Sequence, residues 1–158
     1  MTHIRNKTIH GLSRGDIFSV SRTFTEGDMQ AFADITRDYN PVHFDNRFAT
    51  AKNFDDRICH GLLTASLITE IGGQIGWLAT GMDFDFKKPV YFGDTITCNF
   101  TITDLDARGR VRADAVYCNQ DGVTVIEATI TGILPDGKER NILSQMVAEG
   151  DPTNGVRG

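Results

Sequence analysis

The sequence has no long apolar run: no stretch of its 158 residues approaches the roughly 20 apolar residues that cross a bilayer. No membrane span is expected. It also lacks an excess of positive charge. Sixteen Lys and Arg against 21 Asp and Glu leave a formal net charge of −5, which argues against nucleic acid or an anionic membrane as the main partner. Cysteine is scarce. Cys59, Cys98 and Cys118 are odd in number, far apart and outside any CxxC or Cys/His spacing, so no structural zinc and no other metal is expected. Free thiols without a signal peptide point to a reducing cytoplasm. Internal repeats and low-complexity linkers are absent as well. What remains is globular composition, 40% hydrophobic and 23% charged. One domain of this length buries roughly 70% of its extended-chain surface, enough for a core without disulfide or metal staples.

The pattern divides into a helical first half and a strand-rich second half. Alternation over 16–24 predicts a lead strand. Thr25-Glu26-Gly27-Asp28 reads as a helix N-cap with an acid three residues on, and Met29, Phe32, Ala33 and Ile35 continue at helical spacing, predicting a helix over 26–36. Asn40-Pro41 marks a turn, and Asp45 is placed to cap one or two helical turns ending near Ala51. Residues 58–78 are the apolar heart of the chain. Their apolar positions surround the helix axis, so this helix is expected to be buried on most sides. Long alternating runs over 82–90, 94–104, 107–118 and 123–134, separated by Gly- and Asp-containing turns, predict four antiparallel strands. The class is α+β, with a curved sheet wrapped around one greasy helix. The two ends, 1–12 and 150–155, lack periodicity and read as loose.

Three segments carry chemistry. In Arg37-Asp38-Tyr39-Asn40-Pro41-Val42-His43-Phe44-Asp45, a proline turn can fold Asp38 and His43 back toward one point. A carboxylate and an imidazole around one water form an acid–base pair suited to adding or removing water. The plainer reading has Asp38 as a cap and His43 as a satisfied core residue. In Ile58-Cys59-His60-Gly61-Leu62, a glycine opens the buried helix, whose N–H groups and positive dipole end favour a developing oxyanion. The plainer reading has Gly61 allowing close packing and His60 capping locally. In Lys87-Lys88-Pro89-Val90-Tyr91-Phe92-Gly93-Asp94-Thr95, Pro89 implies a strand edge or bulge, and the lysines read as a phosphate site or a solvated face.

Together, in order and spacing, the three segments resemble the MaoC-like (R)-specific enoyl-CoA hydratases over roughly residues 15–135. The resemblance implies a hot-dog fold, a long central helix wrapped by an antiparallel sheet. It divides the chain into an N-terminal extension (1–14), a single hot-dog domain (15–145) and a flexible C-terminal tail (146–158). It implies a homodimer, or a multiple of dimers, with the sheets joined edge to edge. Asp38 and His43 take the catalytic positions. Asn40 matches the residue that orients the loop, Ser66 a helix residue near the dyad, and Gly61 the position whose N–H faces the thioester carbonyl. The implied reaction is reversible hydration of a trans-2-enoyl-CoA to an (R)-3-hydroxyacyl-CoA. Coenzyme A is then part of the substrate, and no separate cofactor is implied. Lys87, Lys88, Arg108, Arg110 and Arg112 are candidates to meet its phosphates. The family's Leu-Pro-Gly-like loop is missing, and Trp77 stands where it can close an acyl pocket or simply fill core. Two other readings remain: a hot-dog thioesterase using Glu70, and a non-catalytic acyl-thioester binding subunit.

Overall fold

A computed structural model describes residues 2–156. Five antiparallel strands form one sheet in the order β1-β3-β4-β5-β2: β1 Ile17–Thr23, β2 Leu78–Phe86, β3 Thr95–Leu105, β4 Arg110–Cys118 and β5 Thr124–Ile133. The inner positions of β3 to β5 alternate as the pleat requires. Ile96, Cys98, Phe100, Ile102, Ala113, Ala115, Tyr117, Ile126 and Ile130 are all buried. They close on Ile68, Ile71 and Ile75 of the central helical segment. Each fully buried Ile or Phe contributes roughly 1.5–3 kcal/mol, so this face dominates the stability.

The central helix is one helical path in two pieces, α5 Gly61–Ala65 and α6 Leu67–Ile75. The break has a local cause. A continuous helix would give the Ala65 carbonyl to the Thr69 N–H. Here the buried Tyr117 hydroxyl donates to Ala65 O at 2.8 Å, and Thr69 N turns to Ser66 O at 2.8 Å. One β4 side chain thus tightens the helix and pins it to the sheet.

The strand expected over 82–90 begins and ends four residues earlier. Gly76 adopts φ 76°, a left-handed conformation open to glycine, and ends α6 at once. Trp77 then turns the chain, and β2 starts at Leu78. Past Phe86, the Lys87 and Lys88 N–H groups share the single Val125 carbonyl, which ends the ladder before Pro89. β2 is one edge of the sheet and leaves Leu78, Met82 and Phe86 exposed.

The chain ends do not have the looseness that their lack of periodicity suggested. Helix α1, His3–His10, is capped by Thr2 and buries Ile4, Arg5 and Thr8. Helix α7, Gly137–Ala148, opens on an Asp136/Glu139 capping box. Asp151 and Asn154 are buried beyond it. Helix α1 and the turn after α7 are tied to α6 by hydrogen bonds rather than by an apolar stripe, so periodicity gave no sign of them. Thr2 Oγ1 donates to Gln74 Oε1 at 2.7 Å, Arg5 Nη2 to Gly73 O at 3.1 Å, and Gln74 Nε2 to Asn154 Oδ1 at 3.1 Å.

Candidate active site

The site begins where helix α2, Glu26–Thr36, ends. Its Thr25/Asp28 capping box is the one its sequence announces, and Arg37 closes it in the left-handed conformation, φ 61°. That reversal starts the Asp38 turn. Asp38 Oδ1 accepts from Asn40 N at 3.2 Å. Asn40 Oδ1 then accepts from Val42 N at 3.2 Å, capping the single-turn helix α3, Pro41–Phe44, with Pro41 in its first turn. His43 is thereby carried one turn inward and buried. Helix α4, Asn46–Ala51, follows with Asp45 as its cap.

This local folding brings His43 Nε2 to 3.9 Å from Asp38 Oδ2, with the Asp38 side chain 48% exposed. The separation is too long for a hydrogen bond, but one water can bridge it with bonds of about 2.8 Å. His43 Nδ1 meets the Ile58 carbonyl at 2.8 Å. A carbonyl only accepts, so Nδ1 carries the proton and Nε2 keeps its lone pair in the neutral ring. Burial holds His43 below the usual imidazole value of 6.5, with a smaller push in the same direction from His60; the Ile58 bond and Asp38 oppose it. The neutral, proton-accepting form is therefore the one the fold favours near pH 7.

His60 completes the cluster, and sequence reasoning missed it. It precedes α5 but makes no side-chain capping bond. Its ring instead stacks on His43, centroids 3.8 Å apart and planes 30° apart, and its Nε2 donates to the Asp38 backbone carbonyl at 2.9 Å. A histidine directly before the glycine that opens the buried helix was the available signal. Asp38, His43 and His60 offer metal-ligating atoms within 4.8 Å of one another. The donor set fits a metal poorly. His60 Nε2 and His43 Nδ1 are already spent on carbonyls, so of the two Nε2 atoms that lie 3.9 Å from Asp38 Oδ2 only that of His43 is open.

A cavity of about 330 Å³ adjoins the cluster, lined by His43, Gly61, Thr64, Phe86, Lys88 and Val90 among others. Gly61 lets the Phe86 ring approach the start of α5: a Cβ would stand 2.8 Å from that ring, which would have to move. Cys59 also lines the cavity, but burial pushes its thiol up to about 12, so it is not a thiolate nucleophile. The structure thus brings Asp38, His43 and Gly61 together. Asn40 spends its side-chain oxygen on the α3 cap. Ser66 donates its hydroxyl to Leu63 O at 2.6 Å and does not line the cavity.

The five cationic candidates do not form one patch within the chain. Lys87 and Lys88 follow the Phe86 end of β2, where Phe86 pairs with Ile126, and Arg110 pairs with Ile133. Seven residues of β5 separate the two levels, about 23 Å at about 3.3 Å per residue. Glu70 is held by Arg22 at 2.9 Å rather than standing alone. Trp77 meets Phe100 edge-on and lines a second, apolar cavity of about 140 Å³ with Ile68, Met82 and Ile130.

The chain is similar to the (R)-specific enoyl-CoA hydratase of Rhodospirillum rubrum, 31% identical over 128 residues that cover 78% of this chain and 89% of the relative. It is similar to a mitochondrial 3-hydroxyacyl-(acyl-carrier-protein) dehydratase of Arabidopsis thaliana, 29% identical, covering 84% of this chain and 82% of the relative. The solved structure of an (R)-hydratase from Aeromonas caviae involved in PHA biosynthesis superposes with a TM-score of 0.74 at 30% identity, covering 78% of this chain and 98% of that one. Fold, site and relatives define the class, a hot-dog hydro-lyase of the hydratase and dehydratase type. The family model for the MaoC-like domain matches residues 13–124, and the chain belongs to that family.

Proposed function

We propose that the protein adds water reversibly to a trans-2-enoyl-CoA, giving the (R)-3-hydroxyacyl-CoA. The observation that carries this reading is the 3.9 Å gap between Asp38 Oδ2 and the unprotonated His43 Nε2, beside the Gly61-lined cavity. The thioester carbonyl sits against the start of α5, where backbone N–H groups take up charge as the enolate forms. Asp38 and His43 hold one water between them. His43 Nε2 takes a proton from the water as its oxygen bonds to Cβ. Imidazolium then returns one proton to Cα as the enolate collapses, so one H and one OH are added and the enzyme is unchanged. Dehydration is the same path reversed. Asn40 acts through the cap that shapes the loop, and Ser66 through the turn it stabilises in the central helix.

The remaining assignments follow from the same reading. Coenzyme A enters as part of the substrate, with Lys88 at the cavity wall as a phosphate partner and no further cofactor. The exposed β2 edge, with Leu78, Met82 and Phe86, is the seam with a second copy of the chain. Free Cys59, Cys98 and Cys118 suit a reducing cytoplasm. The deciding experiment follows the enoyl absorbance of crotonyl-CoA and the release of free thiol together. Loss of absorbance without thiol supports hydration. Thiol release from saturated acyl-CoA would replace this reading with thioester hydrolysis.

A further inference from the structure

We propose that His60 is a positioning residue of the hydration site, tying the Asp38 turn to the start of the central helix and fixing the plane of the His43 ring. The proposal rests on the reading that Asp38 and His43 carry the reaction. Two contacts and one unpaired atom support it. The His60 side chain is 1% exposed, yet it is polar and spends Nε2 on a carbonyl 22 residues away. Among the described residues, every other hydrogen bond of 37–40 stays within five residues along the chain. The His60 bond is therefore the long-range tether of a turn whose carboxylate is half exposed and would otherwise swing. The second contact is the 3.8 Å stack on His43. With Ile58 holding one edge of the His43 ring and His60 covering one face, Nε2 has one direction left, toward Asp38 Oδ2. Third, His60 Nδ1 is buried with no hydrogen-bond partner among the described residues. A residue selected only to fill this space between Phe32 and Phe44 would be aromatic and apolar, and would not leave a buried acceptor unpaired.

The test compares His60→Phe, which keeps a flat ring and loses the donor, with His60→Gln, whose side-chain amide can restore the donor. Both are assayed on crotonyl-CoA. His60→Phe should lower kcat by about 10–100-fold with KM changed less than about threefold, because the reacting groups are displaced while the binding cavity is kept. His60→Gln should recover a large part of that loss. The imidazole nitrogen NMR signals of the free protein give a second readout that needs no turnover. In the parent, His43 should show a protonated Nδ1 and a bare Nε2, and His60 a protonated Nε2; in His60→Phe the Nδ1 proton, set by the Ile58 carbonyl, should stay, while the His43 Nε2 signal shifts and broadens as Asp38 opposite it loses its tether. Unchanged kcat in His60→Phe, or equal losses of kcat and stability in both variants with the His43 Nε2 signal unmoved, would overturn the positioning role. A parent inert toward enoyl-CoA would instead overturn the hydratase reading, while the nitrogen signals still decide what His60 does to His43.

Discussion

Two polar clusters lie at opposite ends of the central helix. At its start, Asp38, His43 and His60 stand close but leave bonding capacity unused: a 3.9 Å gap, a bare His43 Nε2 and an unpartnered His60 Nδ1. At its finish, Thr2, Gln74 and Asn154 satisfy one another at 2.7–3.1 Å, and Arg5 lies 3.7 Å from Asp151. Even there Arg5 Nε and Asp151 Oδ1 lack partners, but they belong to opposite charges that face each other. In the proposed reaction the first cluster passes a proton, because its groups are held just short of bonding. The second staples segments outside the matched domain to α6. The difference teaches that burial of polar groups does not identify a site; unspent bonding capacity beside a cavity does.

The sharpest way to break this comparison is to remove the unspent groups. Asp38→Asn and His43→Gln should each lower the hydration rate by roughly 10²–10⁴ while the thermal midpoint barely moves. A loss of fold matching the loss of rate would make the start of the helix another staple. Acidification is the next test. The folded value of His43 lies below 6.5, so the proton-accepting form persists to lower pH than a free imidazole allows. The pH profile of kcat/KM should carry an acid limb with an apparent pKa below 6.5, falling about tenfold per unit beneath it. The sign for stability follows. The unfolded chain binds the extra proton first, so the stability associated with a neutral His43 is complete above about 6.5 and declines as pH falls toward the folded value.

Trp77 follows the finish of the helix. Thr64 and Ile126 line the larger cavity; Ile68 and Ile130, further along the same elements, line the smaller. A straight acyl chain leaving Gly61 along α6 would meet Trp77. Trp77→Ala should raise kcat/KM for 2-octenoyl-CoA relative to crotonyl-CoA by about tenfold or more. An unchanged ratio would make Trp77 ordinary core. The smallest effect on rate belongs to the other cluster. Gln74→Leu removes the acceptor of the Thr2 hydroxyl and one of the partners of Asn154, and should cost about 1–3 kcal/mol. The midpoint should fall by roughly 2–4 °C for each kcal/mol, with kcat unchanged. A large kcat loss without a midpoint shift would erase the distinction between the clusters.

Much of the fold was legible because its periodicities are strong. The alternation of 94–104 and 123–134 and the apolar girth of 58–78 left little choice of architecture. The Thr25/Asp28 cap and the Asn40-Pro41 turn announced themselves through side chains that bond within four residues. Where long-range contacts decide, the sequence was silent. Tyr117 breaks the helix at Ser66 from another strand. Gly76 and the shared Val125 carbonyl moved β2 by four residues. Arg108, Arg110 and Arg112 looked like neighbours of Lys87 and Lys88 until the register put them at the other end of the sheet.

The sequence by itself determined the α+β class, because that rests on regular apolar periods, and the family, because three motifs in order carry the resemblance; the Asp38/His43 pair came as what that resemblance implies. Only the tertiary structure decided that His60 stacks on His43, that Ile58 sets the His43 proton, and that the chain ends clasp Gln74. Those are single contacts between residues 15 to 80 positions apart, and they exist only once the sheet has closed on the helix.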